Sequence, residues 1–145
     1  MDMNGGFLIT KIKQLGDRIF ERILSESNID AFNGPQGRIL YVLWQEDGIP
    51  IKVLSDRCGL AITSLTTMLE RMERQGLITR VQGTKDKRKT LLYLTDRAHA
   101  LKADYDSVST RMGKIYYQGF SEDEIVRFEG YLDRIRGNLE GWHEL

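Results

Sequence analysis

Residues 60–94 carry an amphipathic helix pattern, a glycine and two short β-prone runs, and this order limits the possible folds more than any other feature. Four apolar residues recur at the i, i+3, i+4 and i+7 spacing of one helix face: Leu65, Met68, Leu69 and Met72. Gly76 is suited to end that helix in a left-handed conformation, which would let Leu77 fold back on Met72. The opposite face carries hydroxyl and guanidinium groups.

The two β-prone runs, residues 77–81 and 90–94, flank a basic turn at residues 82–89. A helix followed by a β-hairpin with a cationic tip is typical of a winged helix. A short helix predicted at residues 52–58 leads through Gly59 into the amphipathic helix, which adds the pattern of a helix-turn-helix. Together these features predict a DNA-binding regulator.

The distribution of charge favours the same interpretation, although the formal net charge is zero. Residues 71–97 contain eight basic and three acidic residues, a net charge of +5. Residues 119–145 contain three basic and seven acidic residues, a net charge of −4. A local field of one sign attracts a polyanion even when the total charge cancels.

The remaining elements predict a chain that is mainly α-helical with a small β-hairpin wing. Further helices are expected at residues 6–25, 35–46, 95–118 and from the capping box Ser121–Glu124 onward, and a short extended piece is expected at residues 49–51. The 145 residues are expected to form one domain. Within it, we predict a winged helix-turn-helix lobe at about 34–96 and a helical dimerisation layer at about 6–25 and 97–143.

The last two helices have apolar residues spaced 3-4-3-4-3, a period typical of coiled-coil seams. After the seams of these two helices pack against each other, further apolar side chains are left over. Their burial would need more apolar surface than one chain provides. We therefore predict a homodimer with an interface at Leu8, Ile12, Ile125, Phe128, Leu132, Ile135 and Leu139. In the alternative, the left-over apolar groups pack on the winged lobe of the same chain: Ile9, Phe20, Tyr116, Tyr117 and Tyr131.

Other classes of protein find little support in the sequence. The longest apolar run, residues 39–44, is far too short to span a membrane, and the N-terminus lacks the pattern of a signal peptide, so we expect a cytoplasmic protein. His99 and His143 have no partners at ligand spacing, so neither an enzyme, a metal site nor a cofactor is predicted. The single cysteine, Cys58, could sense oxidants, but its apolar surroundings favour a packing role.

Several motifs resemble those of the MarR family of winged-helix transcription regulators, over nearly the whole chain. They are Leu69–Arg80 with its Gly-Leu-Ile sequence, Asp86-Lys87-Arg88, Leu92–Thr95 and Phe120–Glu124. Thr67 stands where the family often has a basic residue.

The resemblance implies a dimer that places two recognition helices in successive major grooves of a palindromic operator and two wings in the flanking minor grooves. Base edges or phosphates would then meet Thr63, Ser64, Thr66 and Thr67. Arg71 and Arg74 would hold phosphates. At the wing, Lys85, Lys87 or Arg88 would enter the minor groove, with Asp86 orienting an arginine.

The family also implies a repressor that releases DNA when a small aromatic effector binds. Tyr41, Trp44, Tyr105 and Met112 could line such an effector pocket, although the residues themselves favour ordinary core. A winged-helix module that binds another protein, without specific DNA binding, is the alternative function.

Overall fold

A computed structural model describes residues 1–143 of the chain. The elements are α1 (Gly5–Glu26), α2 (Gly34–Gln45), β1 (Ile49–Pro50), α3 (Ile51–Cys58), α4 (Ile62–Arg74), β2 (Ile78–Gln82), β3 (Thr90–Leu94), α5 (Asp96–Ala100), α6 (Lys102–Tyr116) and α7 (Glu122–Glu140). The predicted fold class, mainly helical with a small β-hairpin, is confirmed. The chain divides into two compact units, Met1–Ser109 and a second beginning at Thr110, so α1 belongs to the unit that contains the winged helix.

A three-stranded antiparallel sheet organises the first unit, in the order β1-β3-β2. In the hairpin, Ile78 lies opposite Leu94 and Gln82 lies opposite Thr90. The short extended piece expected at residues 49–51 is confirmed as the edge strand β1, which pairs with β3 through Ile49, while Ile51 already begins α3. An edge strand tolerates Pro50, which has no backbone N–H to donate.

The turn before β1 is bonded to the central strand. The backbone N–H of Gly48 donates to the carbonyl of Leu92 over 2.7 Å. The carboxylate of Asp47 accepts from the N–H of Leu94 over 3.1 Å. Gly48 has a φ of +70°, and an added Cβ would lie 2.9 Å from the Tyr93 ring. Glycine is therefore required at the point where the chain leaves α2 and joins the sheet.

The core of the first unit lies between the sheet and helices α2, α3 and α4. Its fully buried side chains include Ile39, Leu40, Leu43, Leu54, Leu65, Leu69, Met72, Leu77, Ile78 and Leu92. Burial of each such side chain contributes about 1.5–3 kcal/mol. The predicted apolar face of α4 is the face that enters this core, with Met68 half-buried at its edge.

The single long helix expected at residues 95–118 is wrong, because the structure ends α5 at Ala100 and begins α6 at Lys102. In an unbroken α-helix the Ala98 carbonyl would accept from the N–H of residue 102. Here it accepts instead from the N–H of Leu101 and from the indole N–H of Trp44, each over 3.1 Å. A side chain from α2 thus binds the carbonyl and tightens the helix for one turn.

The second unit contains the end of α6 and the whole of α7. The predicted capping box at the start of α7 is present, since Ser121 and Glu124 each accept from the other's backbone N–H. The Tyr117 hydroxyl donates to Glu129 over 2.6 Å. Partial burial, followed by this hydrogen bond, raises the pKa of Tyr117 to about 12.

Replacing Trp44 with phenylalanine tests the cause of the helix break. The variant keeps an aromatic ring but loses the N–H that binds the Ala98 carbonyl. We expect the free energy of unfolding to fall by about 1 kcal/mol, the net value of one neutral hydrogen bond. Urea denaturation followed by circular dichroism measures this change in the free energy of unfolding. Trp142→Phe is the matched control, because the Trp142 side chain is 70% exposed, and an equal loss in both variants would contradict the assignment.

Candidate nucleic-acid interface

The outward face of α4 is the main polar surface of the helix-turn-helix. Helix α4 has 13 residues, which corresponds to about 20 Å of length. Its buried residues, Leu65, Leu69 and Met72, all lie on one side. The opposite side is exposed and carries the predicted contact residues Thr63, Ser64, Thr67, Arg71 and Arg74. Hydroxyl and guanidinium groups are therefore presented to solvent along one ridge.

Thr66, the remaining predicted contact residue of α4, is oriented differently from its neighbours. It is half-buried, and its hydroxyl donates to the Ile62 carbonyl over 2.8 Å. Because the hydroxyl proton is already donated to Ile62, the Thr66 oxygen can only accept a hydrogen bond from a ligand. The hydroxyls of Thr63, Ser64 and Thr67 are exposed and can either donate or accept.

The C-terminal end of α4 is fixed by a glycine stop. Gly76 has a φ of +75°, and the N–H of Leu77 donates to the Met72 carbonyl over 2.9 Å. These are features of a Schellman-type cap, as the sequence predicted. Residues after β3 take up the exposed carbonyls: the Thr95 hydroxyl donates to the Gly76 carbonyl over 2.7 Å, and the Arg97 guanidinium to that of Gln75 over 2.8 Å. The end of α4 is therefore held by hydrogen bonds to the residues that directly follow strand β3.

The wing tip, residues 83–89, is closed by hydrogen bonds of its own. Gly83 donates to the Lys89 carbonyl over 2.8 Å, and Lys89 donates to the Asp86 carbonyl over 3.1 Å. The Gln82 side chain donates to the Lys87 carbonyl over 2.7 Å. An added Cβ on Gly83 would lie 2.5 Å from the Asp86 carbonyl oxygen, so only glycine fits this turn.

Asp86 and Arg88 form a charged pair at the wing tip. Asp86 Oδ1 accepts from Arg88 Nε over 3.1 Å and from the Arg88 backbone N–H over 3.0 Å. These bonds lower the pKa of the Asp86 carboxyl, the side-chain bond more than the backbone bond. The Arg88 side chain is 91% exposed, so the carboxylate orients the guanidinium without removing it from solvent. Lys85 and Lys87 are exposed beside it.

A basic residue that the sequence analysis missed lies next to the wing. Lys52, in the first turn of α3, lines a surface groove of about 390 Å³ together with Arg88 and Lys89. The pairing of β1 with β3 brings these residues together. No pattern local to residue 52 indicates this arrangement, because the pairing partner is some 40 residues away.

The predicted effector residues fall into two groups. Tyr105 is the centre of an aromatic cluster in the first unit, with ring centroids 5.2 Å from Trp44, 5.8 Å from Tyr41, 6.1 Å from Phe32 and 6.2 Å from Phe20. Burial raises the pKa of the Tyr105 hydroxyl. Met112 follows two turns later on α6, within the second unit, and is buried.

The predicted dimer residues are mostly uncovered in the single chain. Ile125 is half-buried, whereas the others are exposed: Leu8, Ile12, Phe128, Leu132, Ile135 and Leu139. No residue of α7 that the structure describes is buried. A 19-residue helix with an apolar seam thus has that seam in solvent.

Sites of other kinds receive little support from the geometry. Cys58 is 4% exposed, and burial raises the pKa of its thiol, which disfavours the reactive thiolate. Within residues 1–143, no cluster of three or more His, Cys, Asp or Glu side chains could hold a metal ion. Over the same residues, no helix combines the length and apolar character needed to cross a membrane.

Comparison with known proteins gives a family match at the winged helix. Residues 32–90 match the model of the MarR family. The chain is similar to the HTH-type transcriptional regulator TtmR of Methylorubrum extorquens, with 34% identity over 72% of this chain and 53% of the relative. It is also 40% identical to the organic hydroperoxide resistance transcriptional regulator of Bacillus subtilis, over 57% of this chain and 54% of the relative. The chain thus spans about half the length of these curated relatives.

Solved structures match over almost the whole fold. A MarR transcriptional regulator from Methanosarcina mazei superposes with a TM-score of 0.81 at 20% identity, covering 92% of this chain and 94% of that one. A cysteine-to-serine mutant of MarR from E. coli, complexed with operator DNA, gives a TM-score of 0.79 at 23% identity, covering 93% and 99%. At these identities the likeness establishes the fold.

The charged pair at the wing tip gives a titration that can be measured. We expect the Asp86 carboxyl in the wild type to titrate below the usual value of about 3.9. In Arg88→Ala its pKa should rise only part of the way back, because the backbone N–H of residue 88 still donates. NMR titration of the side-chain carboxyl carbon measures both values. Arg80→Ala is the control, since Arg80 pairs with Glu73, and an Asp86 pKa unchanged in Arg88→Ala would contradict the pairing.

Proposed function

We propose, from the match of residues 32–90 to the MarR family model and the similarity to curated regulators, that this chain is a MarR-family, sequence-specific DNA-binding transcription regulator, acting in the cytoplasm as a homodimer. The observation that carries the proposal is the exposed hydroxyl and guanidinium ridge of α4 beside a basic wing of fixed shape. An α-helix with its side chains is about 10–12 Å across, so α4 fits the major groove of B-DNA, which is about 12 Å wide.

The two parts of the surface would serve different purposes. Exposed hydroxyls on Thr63, Ser64 and Thr67 have the size and hydrogen-bonding capacity to touch base edges, which specifies sequence. Arg71 and Arg74 lie nearer the C-terminal end of α4 and would bind phosphates, which fixes position without specifying sequence. The guanidinium of Arg88, oriented by Asp86, would enter the minor groove, where narrow A·T-rich segments attract arginine.

A homodimer would cover the exposed apolar seam of α7. Ile135 is 41% exposed and Leu139 is 72% exposed, which is unusual for aliphatic side chains aligned along one helix face. A second copy of the same seam is an apolar partner of matching spacing. Two-fold symmetry would then place the two α4 helices on half-sites about 34 Å apart.

Repression and release by an effector are the further parts of the proposal. A dimer bound across an operator would block access of other proteins to that DNA. A small aromatic molecule would release it by binding among Tyr41, Trp44 and Tyr105, shifting the equilibrium only as far as its affinity differs between the two states. The close packing of the Tyr105 cluster means that such a ligand would have to displace ring contacts.

The competing function, a module that binds another protein through α4, is less well supported. Protein interfaces are anchored by large apolar or aromatic side chains. On the exposed surface of α4, Ile62 is the one large aliphatic residue among the described residues that is more than a third exposed. The cationic wing also fits a polyanion better than a protein partner.

Titration of duplex DNA at two or more salt concentrations tests the proposed function. Fluorescence anisotropy with a labelled duplex from the region upstream of the chain's own gene measures the dissociation constant. We expect binding to weaken steeply with salt, with a log–log slope of about −0.9 for each phosphate neutralised. Failure to bind any duplex at low salt would refute the proposal. The same measurement separates it from the protein-binding alternative, which predicts no salt-dependent DNA affinity.

Replacing Ile135 with glutamate tests the homodimer. A carboxylate placed in an apolar interface loses its hydration, so we expect the variant to sediment as a monomer while its circular dichroism stays that of a folded chain. Gly130→Glu is the matched control, because residue 130 lies on the opposite side of α7 and an added Cβ there meets nothing within 4 Å. A wild-type chain that sediments as a monomer, or an Ile135→Glu variant that remains a dimer, would contradict this interface.

A further inference from the structure

We infer that Lys52 holds a phosphate of the DNA backbone, in a cationic groove formed jointly by the first turn of α3 and the wing residues Arg88, Lys89 and Thr90. This inference rests on the proposed DNA-binding function and adds a positioning residue from a third element, separate from α4 and from the wing tip. The groove has a volume of about 390 Å³ and is lined by Pro50, Ile51, Lys52, Val53, Arg88, Lys89 and Thr90.

The sheet explains why these two segments meet. Ile49 pairs with Leu92 and Pro50 pairs with Leu91, so the start of α3 at Ile51 follows the last pair on one side and Thr90 adjoins it on the other. Lys52 and Lys89 are the next residues outward on the two segments. The groove is therefore a consequence of strand pairing and keeps its shape as long as the sheet does.

The lining has the charge of an anion site. Three of its seven residues are cationic, and none of the described residues that line it is acidic. Lysine binds phosphate as a point charge, without the planar geometry that a guanidinium requires. Lys52 and Lys89 are exposed, so an extended polyanion can reach both of them from solvent.

The backbone beneath Lys89 is held in place. Its N–H donates to the Asp86 carbonyl over 3.1 Å, and its own carbonyl accepts from Gly83 over 2.8 Å. Arg88 is oriented by Asp86 at the same time. The backbone on the wing side of the groove therefore needs little ordering when a phosphate binds, which reduces that part of the entropic cost of the contact.

A phosphate contact in this groove would hold the first helix of the helix-turn-helix against the DNA backbone while α4 lies in the major groove. Because β1 and β3 join α3 to the wing, the contact would also fix the wing relative to α3 on the DNA. Such a contact positions the protein and carries no sequence information. Its loss should weaken binding equally on every sequence.

Salt titrations of Lys52→Gln test the inference on two duplexes, the upstream region and a scrambled sequence of the same composition. We expect the log–log slope to become shallower by about 0.9 for each protomer, hence by about 1.8 for a dimer. Affinity at fixed salt should fall by the same factor on both duplexes. Lys52→Arg keeps the charge and should restore the wild-type slope.

Lys13→Gln is the matched control, because it removes the same charge from an exposed lysine of α1 that pairs with Asp17 outside the groove. Thermal melting and sedimentation show that each variant is folded and in the wild-type oligomeric state. A wild-type slope in Lys52→Gln would overturn the inference, as would a loss confined to one duplex, which would indicate a base contact. Absence of DNA binding by the wild type would instead refute the proposed function.

Discussion

The hydrogen bonding of β3 along both of its edges is the constraint on which the proposed DNA-binding surface depends. One edge pairs with β1, which leads directly into α3, and the other pairs with β2, which follows α4. Immediately after β3, Thr95 and Arg97 bind the carbonyls at the end of α4. The two helices of the helix-turn-helix and the wing are thus fixed by one strand. A slip of this strand by one residue would turn its buried side chains outward, so its register is strongly specified.

Local patterns in the sequence predict most of the fold because they reflect forces that act within a few residues. The spacing of Leu65, Leu69 and Met72 identifies the buried side of α4, since an apolar stripe of this period is stable only against a core. Gly76 and the capping box at Ser121 mark helix ends, because both satisfy backbone groups of the same segment. The basic turn between two β-prone runs identifies the wing for the same local reason.

Features that depend on contacts distant in sequence could not be predicted in this way. Trp44 donates to the Ala98 carbonyl, 54 residues later, where the helix after β3 breaks, and no helix pattern at residues 95–118 reveals this bond. Lys52 resembles any solvated lysine until β1 is paired with β3. The roles of Thr63, Ser64, Thr67 and the α7 seam remain predictions, because they depend on DNA and on a second chain.

The glycine stop at Gly76 has a consequence for how such a protein can be switched. Its left-handed backbone and the bond from Leu77 to Met72 end α4 by means internal to the segment, and Thr95 and Arg97 occupy the carbonyls through which the helix could have grown. The C-terminal end of helix α4 is therefore set by bonds within the chain that require no ligand. We therefore expect a signal from elsewhere in the protein to translate or tilt α4 rather than to extend it at this end. In the proposed dimer on DNA, the quantity open to control would be the distance between the two α4 helices, relative to the helical repeat of the duplex.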